Sequence, residues 1–311
     1  MGNIVSRRNF NKSIALALGA AAVPAFGAGR TRNLKIGYST LAWDVSPKDP
    51  ATFEDSVKDI SNLGFWGFET VSPILEAYDA NQLLPKLIEA NHVPFKAGYV
   101  GVNVTDSSVR KENIEKLVRV GKIIQKYGGT FAVIQVNSRK QLLGNGQGPD
   151  SFVFKDYFQK IVSGLNDYGA ALADIGLRSG LHQHTGTVVE TKDEVYAVME
   201  AVNTKVMKFA PDVGQLQKGG SDAAKVVKDF ASITEHMHLK DYSGGKYFVG
   251  YCPLGMGVVD IESILNTLEE TGHNPDVMVE LDRPADTPMS ALETAVFSKA
   301  YLVKLGYSFR N

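Results

Sequence analysis

The sequence predicts an α/β fold, specifically a single-domain (β/α)8 barrel. Three observations carry that expectation. From Leu34 onward, short β-like runs alternate with longer segments of helical periodicity. Eight such runs can be placed, the number that closes a parallel barrel. Carboxylates and imidazoles recur at the C-terminal ends of the later runs, and a barrel of this kind keeps its chemistry at that end.

The first expected strand is Lys35–Leu41. Phe53, Val57, Ile60 and Leu63 then recur at helical spacing until Gly64 stops the helix. Gly67–Val71 is the second strand, and Leu83, Leu84, Leu87 and Ile88 give the apolar face of the helix after it. Pro94–Val100 follows, with a long helix through Ile114, Leu117, Val120 and Ile124 that closes at Gly128-Gly129. Phe131–Val136 leads to the helix of Phe158, Ile161, Leu165, Tyr168 and Leu172, ending at Gly176. Arg178–His184 precedes Val195, Val198, Met199 and Val202, and Val206–Val213 precedes Ala223, Val226, Val227 and Phe230. Thr234–Lys240 precedes Ile261, Ile264, Leu265 and Leu268, before Gly272. Asp276–Leu281 and a last helix from Leu292 to Leu305 complete eight βα units. The ~280 residues after residue 30 suit the ~250 typical of the fold. Two loops are expected over the catalytic face: the Gly-rich stretch Gly144–Pro149 and the segment Tyr242–Met256.

The chain has 311 residues, a formal net charge of −1 and 44% hydrophobic residues. That balance suits a soluble globular protein and gives no reason to expect nucleic acid or an anionic membrane as a partner. The single cysteine, Cys252, forms no intrachain disulfide and no thiolate metal site. Residues 1–30 read as a leader to be set aside. Arg7-Arg8 precedes an apolar run, Ile14 to Phe26, that is shorter than the ~20 residues of a membrane span. Small residues around Ala25–Ala28 offer a cleavage site. The expectation is twin-arginine-type export to the periplasm, with residues 31–311 as the barrel and no stable membrane insertion after cleavage.

Side chains alternate along a strand, so His182 shares a face with His184, and His236 with His238. Barrel interiors are usually filled by branched apolar residues, so these imidazoles need a polar reason. Asp212 in APDVG and Glu280 in VMVELD stand at two further strand ends. His182, Asp212, His238 and Glu280 therefore form a candidate divalent-metal cup. Imidazoles and carboxylates without thiolate suit Mn²⁺, Zn²⁺, Fe²⁺ or Co²⁺ better than Ca²⁺. Such an ion would polarise a carbonyl or bind a diol, easing removal of the neighbouring C–H proton. Each residue also has a plainer use: Asp212 as a cap of the next helix, Glu280 as a partner of Arg283, Lys240 as a partner of Asp241.

At these residues the sequence resembles the sugar phosphate isomerase/epimerase family with its xylose isomerase-like TIM barrel, nearest the inosose dehydratase-like branch. IGYSTLAW, GFWGFET, HQHTGTVVET, APDVG, HMHLKD, GMGVVDIESILNTLEETG and VELD carry the resemblance across nearly the whole chain after the leader. It implies a divalent cation, most often Mn²⁺, held by Glu, Asp, His and Glu. Asp212, His238 and Glu280 match directly, whereas His182 stands where the family has its first Glu. The family often has Gly-His where this chain has Gly214-Gln215. Without a pair of opposed glutamates, the balance tilts from epimerase or isomerase toward lyase or dehydratase. Glu280 is the expected base, with His184, His236 or Lys240 as the acid. A non-catalytic, metal-containing sugar-binding barrel is the competing class.

Further residues are expected around the substrate. Trp43 and Tyr38 are placed to stack on a sugar ring, or else to pack the barrel top. Glu69, Lys96, Tyr99, Gln135 and Asn137 are placed to hydrogen-bond hydroxyls, with Glu69 alternatively closing a salt bridge. No Arg cluster awaits a phosphate, so the expected partner is an unphosphorylated small-molecule carbohydrate. Homo-oligomerisation stays open.

Overall fold

The computed structural model describes residues 32–143, 151–282 and 287–311. The leader, the Gly144–Pro149 stretch and Arg283 lie outside the described residues. Eight parallel strands form the barrel: β1 (Ile36–Ser39), β2 (Phe68–Val71), β3 (Phe95–Val102), β4 (Phe131–Val136), β5 (Arg178–His182), β6 (Lys208–Phe209), β7 (His236–Leu239) and β8 (Asp276–Val279). They pair in the order β6-β5-β4-β3-β2-β1-β8-β7. The seam between β6 and β7 is stitched by parallel bridges, Phe209 with Thr234 and Asp212 with His238. Strand six is far shorter than the expected Val206–Val213 because Pro211 has no N–H to give to a ladder. Its carbonyl still accepts from His238 N at 2.9 Å, which seats Asp212 beside His238.

Eleven α-helices are described, three more than the pattern predicts. They are α1 (Pro50–Asn62), α2 (Ser72–Ala80), α3 (Leu84–Asn91), α4 (Arg110–Lys126), α5 (Arg139–Leu143), α6 (Phe154–Asp174), α7 (Lys192–Ala201), α8 (Val213–Lys218), α9 (Ala223–Asp229), α10 (Ile261–Thr271) and α11 (Ala291–Lys304). The region between β2 and β3 splits into α2 and α3 because Gln82 takes a left-handed φ of 53°, which no continuing helix accommodates. α7 and α11 each begin with a full capping box, Thr191 with Glu194 and Ser290 with Glu293. The C-terminal tail packs back on Gly64, whose φ is +76°. A Cβ there would lie 2.3 Å from the Arg310 carbonyl oxygen, so only glycine lets the tail close this corner. No helix among the described residues is long and apolar enough to cross a membrane.

The main core lies between strands and helices. Outward residues such as Tyr38, Phe68, Phe95 and Phe209 are fully or almost fully buried there. The barrel interior is different. Ala97, Phe131, Val133 and Ala210 form a small apolar plug of their own, with Tyr99 against it. Met278 fills the space left by Gly37, where a Cβ would lie 2.5 Å from its sulfur. The rest of the interior is polar, and that departure from an apolar barrel centre locates the site.

Candidate active site at the barrel mouth

β7 points His236, His238 and then Lys240 inward, and β8 runs beside it so that Met278 is level with His238. Glu280, just past β8, and His238 therefore meet, with His238 Nδ1 2.7 Å from Glu280 Oε2. On its other side His238 Nε2 pairs with Glu69 of β2. One imidazole thus sits between two carboxylates. Burial disfavours its charge, but Glu280 and Glu69 outweigh burial and hold its pKa well above the usual histidine value. Glu280 responds in kind: burial pushes it up, and His238 and Lys240 pull it well below the usual carboxylate range.

Lys240 Nζ lies 2.8 Å from Asp212 Oδ2, 2.9 Å from Glu280 Oε2 and 3.0 Å from Asp282 Oδ2. The plainer alternative for Lys240, a bridge to Asp241, is not formed. Asp241 instead accepts the backbone N–H groups of Gly255, Gly257 and Val259 and fixes the loop before α10. Burial opposes the Lys240 ammonium, yet Asp212, Asp282 and Glu280 keep its pKa well above the ordinary lysine value. One ammonium shared by three carboxylates cannot offset the desolvation of each, and the Asp212 pKa stays raised by burial.

Asp212 divides its two oxygens. Oδ1 caps α8 by accepting from Gln215 N at 2.9 Å. Oδ2 faces Lys240 without the alignment of a hydrogen bond and has no hydrogen-bond donor. His182, at the end of β5, donates from Nδ1 to the Ala210 carbonyl at 2.9 Å. Burial, then His238, keep its pKa well below the usual value, so the ring is neutral and its Nε2 lone pair is available. Ligand atoms of His182, Asp212 and His238 lie within 4.8 Å of one another, as do those of Glu69, His236 and His238.

These residues fit a divalent cation. Asp212 Oδ2 is a buried oxygen with only the poorly aligned, shared Lys240 ammonium beside it, and the carboxylates around Lys240 outnumber its charge. The His182 ring is oriented by a carbonyl and the His238 ring by the Glu69 carboxylate, the kind of support that metal-binding histidines receive.

Several other expected residues sit elsewhere. His236 comes two residues before His238, roughly 6.6 Å deeper at ~3.3 Å per residue. It is fully buried, 2.8 Å from Glu69 Oε2 and stacked on Phe131, so it is not placed to hand a proton to a substrate. Glu69 is likewise interior and meets the two imidazoles rather than a sugar hydroxyl. Burial pushes its pKa up, but His238 and His236 bring it down to about 2. Tyr38 faces out of the barrel, edge-on to Trp43 and Phe65. Trp43 is buried and spends its indole N–H on Asp59. Neither ring is free to stack on a sugar. Lys96 sits at a bulge opening β3, and its ammonium lies 3.6 Å from Asp276 at the start of β8, at the opposite end of the barrel.

Gln135 does reach the mouth, paired in register with His182. His184 reaches its rim. Its Nδ1 donates to the Thr185 carbonyl, and its Nε2 is 2.6 Å from Gln215 Nε2. Gln215 also binds Thr185 and Asp282, and so ties the rim together. Two aromatic residues complete the cup. Tyr99 is edge-on to His182 at 5.3 Å and stacked on His238 at 6.1 Å. Tyr251, from the hairpin Asp241–Tyr242 with Tyr251–Cys252, lies 4.9 Å from Lys240 Nζ. Tyr251 carried no signal in the sequence beyond its place in a Gly- and Tyr-rich loop.

A family model described as xylose isomerase-like TIM barrel matches residues 57–300. An inosose dehydratase of Clostridium perfringens (strain 13 / Type A) is 23% identical over 297 residues, covering 87% of this chain and 97% of that protein. The structure of the 3-keto-D-glucoside 4-epimerase YcjR from E. coli superposes with a TM-score of 0.63 at 15% identity, covering 88% and 99% of the two chains. The IOLI protein, solved with a binding zinc atom, gives a TM-score of 0.69 at 17% identity, covering 88% and 98%.

Proposed function

The chain belongs to the xylose isomerase-like TIM barrel family, and from that premise we propose a divalent-metal-dependent lyase. It takes a proton from the carbon α to the carbonyl of an unphosphorylated keto-sugar, keto-glycoside or keto-inositol, and the β-substituent leaves. His182, Asp212, His238 and Glu280 would hold the ion, which when bound polarises the substrate carbonyl and steadies negative charge on its oxygen. Mn²⁺ is the first ion to try, followed by Zn²⁺, Co²⁺ and Fe²⁺.

The observation that carries this reading is the pairing of Glu280 with Lys240, 2.9 Å apart beside the cup. Glu280 is a carboxylate and accepts the α-proton. Lys240 is an ammonium ion with three donor hydrogens and protonates the departing oxygen as the C–O bond breaks. The proton held by Glu280 then passes to Lys240 across their contact and restores both groups. His182 occupies the β5 position, so a second carboxylate base on the opposite substrate face is missing, which favours elimination over epimerisation. The inosose dehydratase relative supports the same direction. Among the described residues Lys240 is the only lysine or arginine paired with Asp212 and Glu280, and all of its contacts there are carboxylates, which supports an unphosphorylated substrate. The Arg7-Arg8 leader supports export to the periplasm, and the N-terminal mass of protein from a periplasmic extract tests that.

The deciding experiment incubates metal-loaded protein with a 3-keto-glucoside in D₂O and follows the products by NMR. Metal-dependent release of the aglycone, lost in Glu280→Gln, is expected. Deuterium at an inverted α-carbon without release would make the protein an epimerase. Sugar binding without exchange would make it a binding barrel.

A further inference from the structure

Beside the cup lies a cavity of about 460 Å³, walled by the C-terminal ends of β3 and β4, α5 and the loop after β5. Its size is within the ~300–1,000 Å³ of small-molecule sites. Strand register relates it to the cup. Tyr99 touches His182 and His238, and Gly101, two residues on and on the same face, lines the cavity. Gln135 is level with both Gly101 and His182, and also lines it.

Among the described residues, no lining residue is charged and none is aromatic. The nearby Lys116 ammonium donates to the Gly101 carbonyl, 2.9 Å away. A phosphate or carboxylate would find no counter-ion in the cavity, and an aryl group no ring to stack on. What the walls do offer is amide groups. Asn137 is committed to the backbone N–H of Val104 and to Thr105 Oγ1, but Gln135 has no hydrogen-bond partner among the described residues. The Asn113 carbonyl and the Gln141 amide N–H₂ are likewise uncommitted, their other atoms being used at Val109 and Ser138. Gly101 keeps the space open: a Cβ there would meet no atom within 4 Å.

We infer that this cavity is a second sugar subsite, receiving the uncharged ring glycosidically joined to the ring held at the cup. The inference rests on the carbohydrate reading above and narrows it, from any keto-sugar or keto-inositol to a glycoside of at least two rings.

The test is binding rather than turnover. Affinities of metal-loaded full-length protein would be measured calorimetrically for methyl glucoside and for a panel of α- and β-linked methyl glucose disaccharides. At least one disaccharide is expected to bind about ten-fold tighter than the monosaccharide, a ten-fold ratio being ~1.4 kcal/mol. Gly101→Phe, which fills the cavity from an unobstructed position, should abolish that gain and leave monosaccharide affinity unchanged. Gln135→Ala should reduce the gain without abolishing it. Equal affinities across the panel, no binding of any sugar, or a Gly101→Phe that weakens both ligands alike in a protein of unchanged melting temperature would each overturn the subsite. Tighter disaccharide binding without turnover of any keto form would keep the subsite and sink the lyase.

Discussion

The two ends of this barrel are built from the same strands and the same charge types, yet only one end is equipped for chemistry. At the N-terminal end Lys96 pairs with Asp276 at 3.6 Å, and Arg178 and Lys208 share Glu235 at 3.0 and 3.2 Å. All of these side chains keep solvent contact, up to 53% exposure for Arg178. At the C-terminal end His238, Lys240, Asp212 and Glu280 are 0–3% exposed. Water screens the first set, and each pair is worth roughly 0–1 kcal/mol. The second set has only its own members for solvation, and removing one partner costs about 3–5 kcal/mol. Charge confined in this way is poised to act on a substrate, whereas the other end simply finishes the sheet.

The sharpest way to break the comparison is Glu280→Gln. Turnover should fall by about 10³-fold, within the range general-base removal gives, with an unchanged circular dichroism spectrum. A variant keeping a tenth of the activity would remove Glu280 from the chemistry. Lys240→Met should then cost the metal-stripped protein ~3–5 kcal/mol in urea unfolding, since three carboxylates lose their ammonium. A loss under ~1 kcal/mol would put the mouth in the same class as the other end.

Glu69 sharpens the contrast through pH. Its folded pKa is about 2 against an ordinary 4.5. A depressed carboxylate stabilises the native state fully above the unfolded value, and that contribution, ~3 kcal/mol, fades as pH falls from about 4.5 toward 2. Glu69→Gln should therefore lower stability at pH 7 and flatten its dependence below pH 4.5. An unchanged acid profile would count against the His236–Glu69–His238 pairing. Stripping the ion with a chelator should lower the melting temperature, and adding Mn²⁺ at 100 times its dissociation constant should return ~2.7 kcal/mol. No shift with any of Mn²⁺, Zn²⁺, Co²⁺ or Fe²⁺ would leave the cup without an ion. The smallest effect belongs to Lys96→Ala, expected to change stability by less than ~1 kcal/mol and leave turnover intact.

Strand positions and the convergence of His182, Asp212, His238 and Glu280 were legible in the sequence because period-two and period-3.6 patterns report which way residues face. Depth was not legible. His236 and His238 share a face, and only the stacking of the whole barrel puts one in the interior and the other at the mouth. The outward turn of Tyr38 had a signal, since Gly37 and Ser39 are the small inward residues on either side of it. Lys96 had a signal too, its place at the start of the strand Pro94–Val100 and so at the end opposite the mouth; the bulge there, which turns Phe95 outward and Ala97 inward, was not read. The early end of β6 was written in Pro211, read from the sequence only as a strand end and not as a broken ladder.

The divided carboxylate of Asp212 has a consequence for observing the protein at work. One oxygen looks into the cup while the other holds the Gln215 backbone amide, and the Gln215 side chain touches His184, Thr185 and Asp282. Whatever enters the cup must pull on that amide. The Gln215 resonance is therefore a built-in reporter, readable by NMR without a label at the reacting atoms. Asp212→Asn preserves the helix cap while deleting the charge, so it should mute the response and leave the signal itself in place.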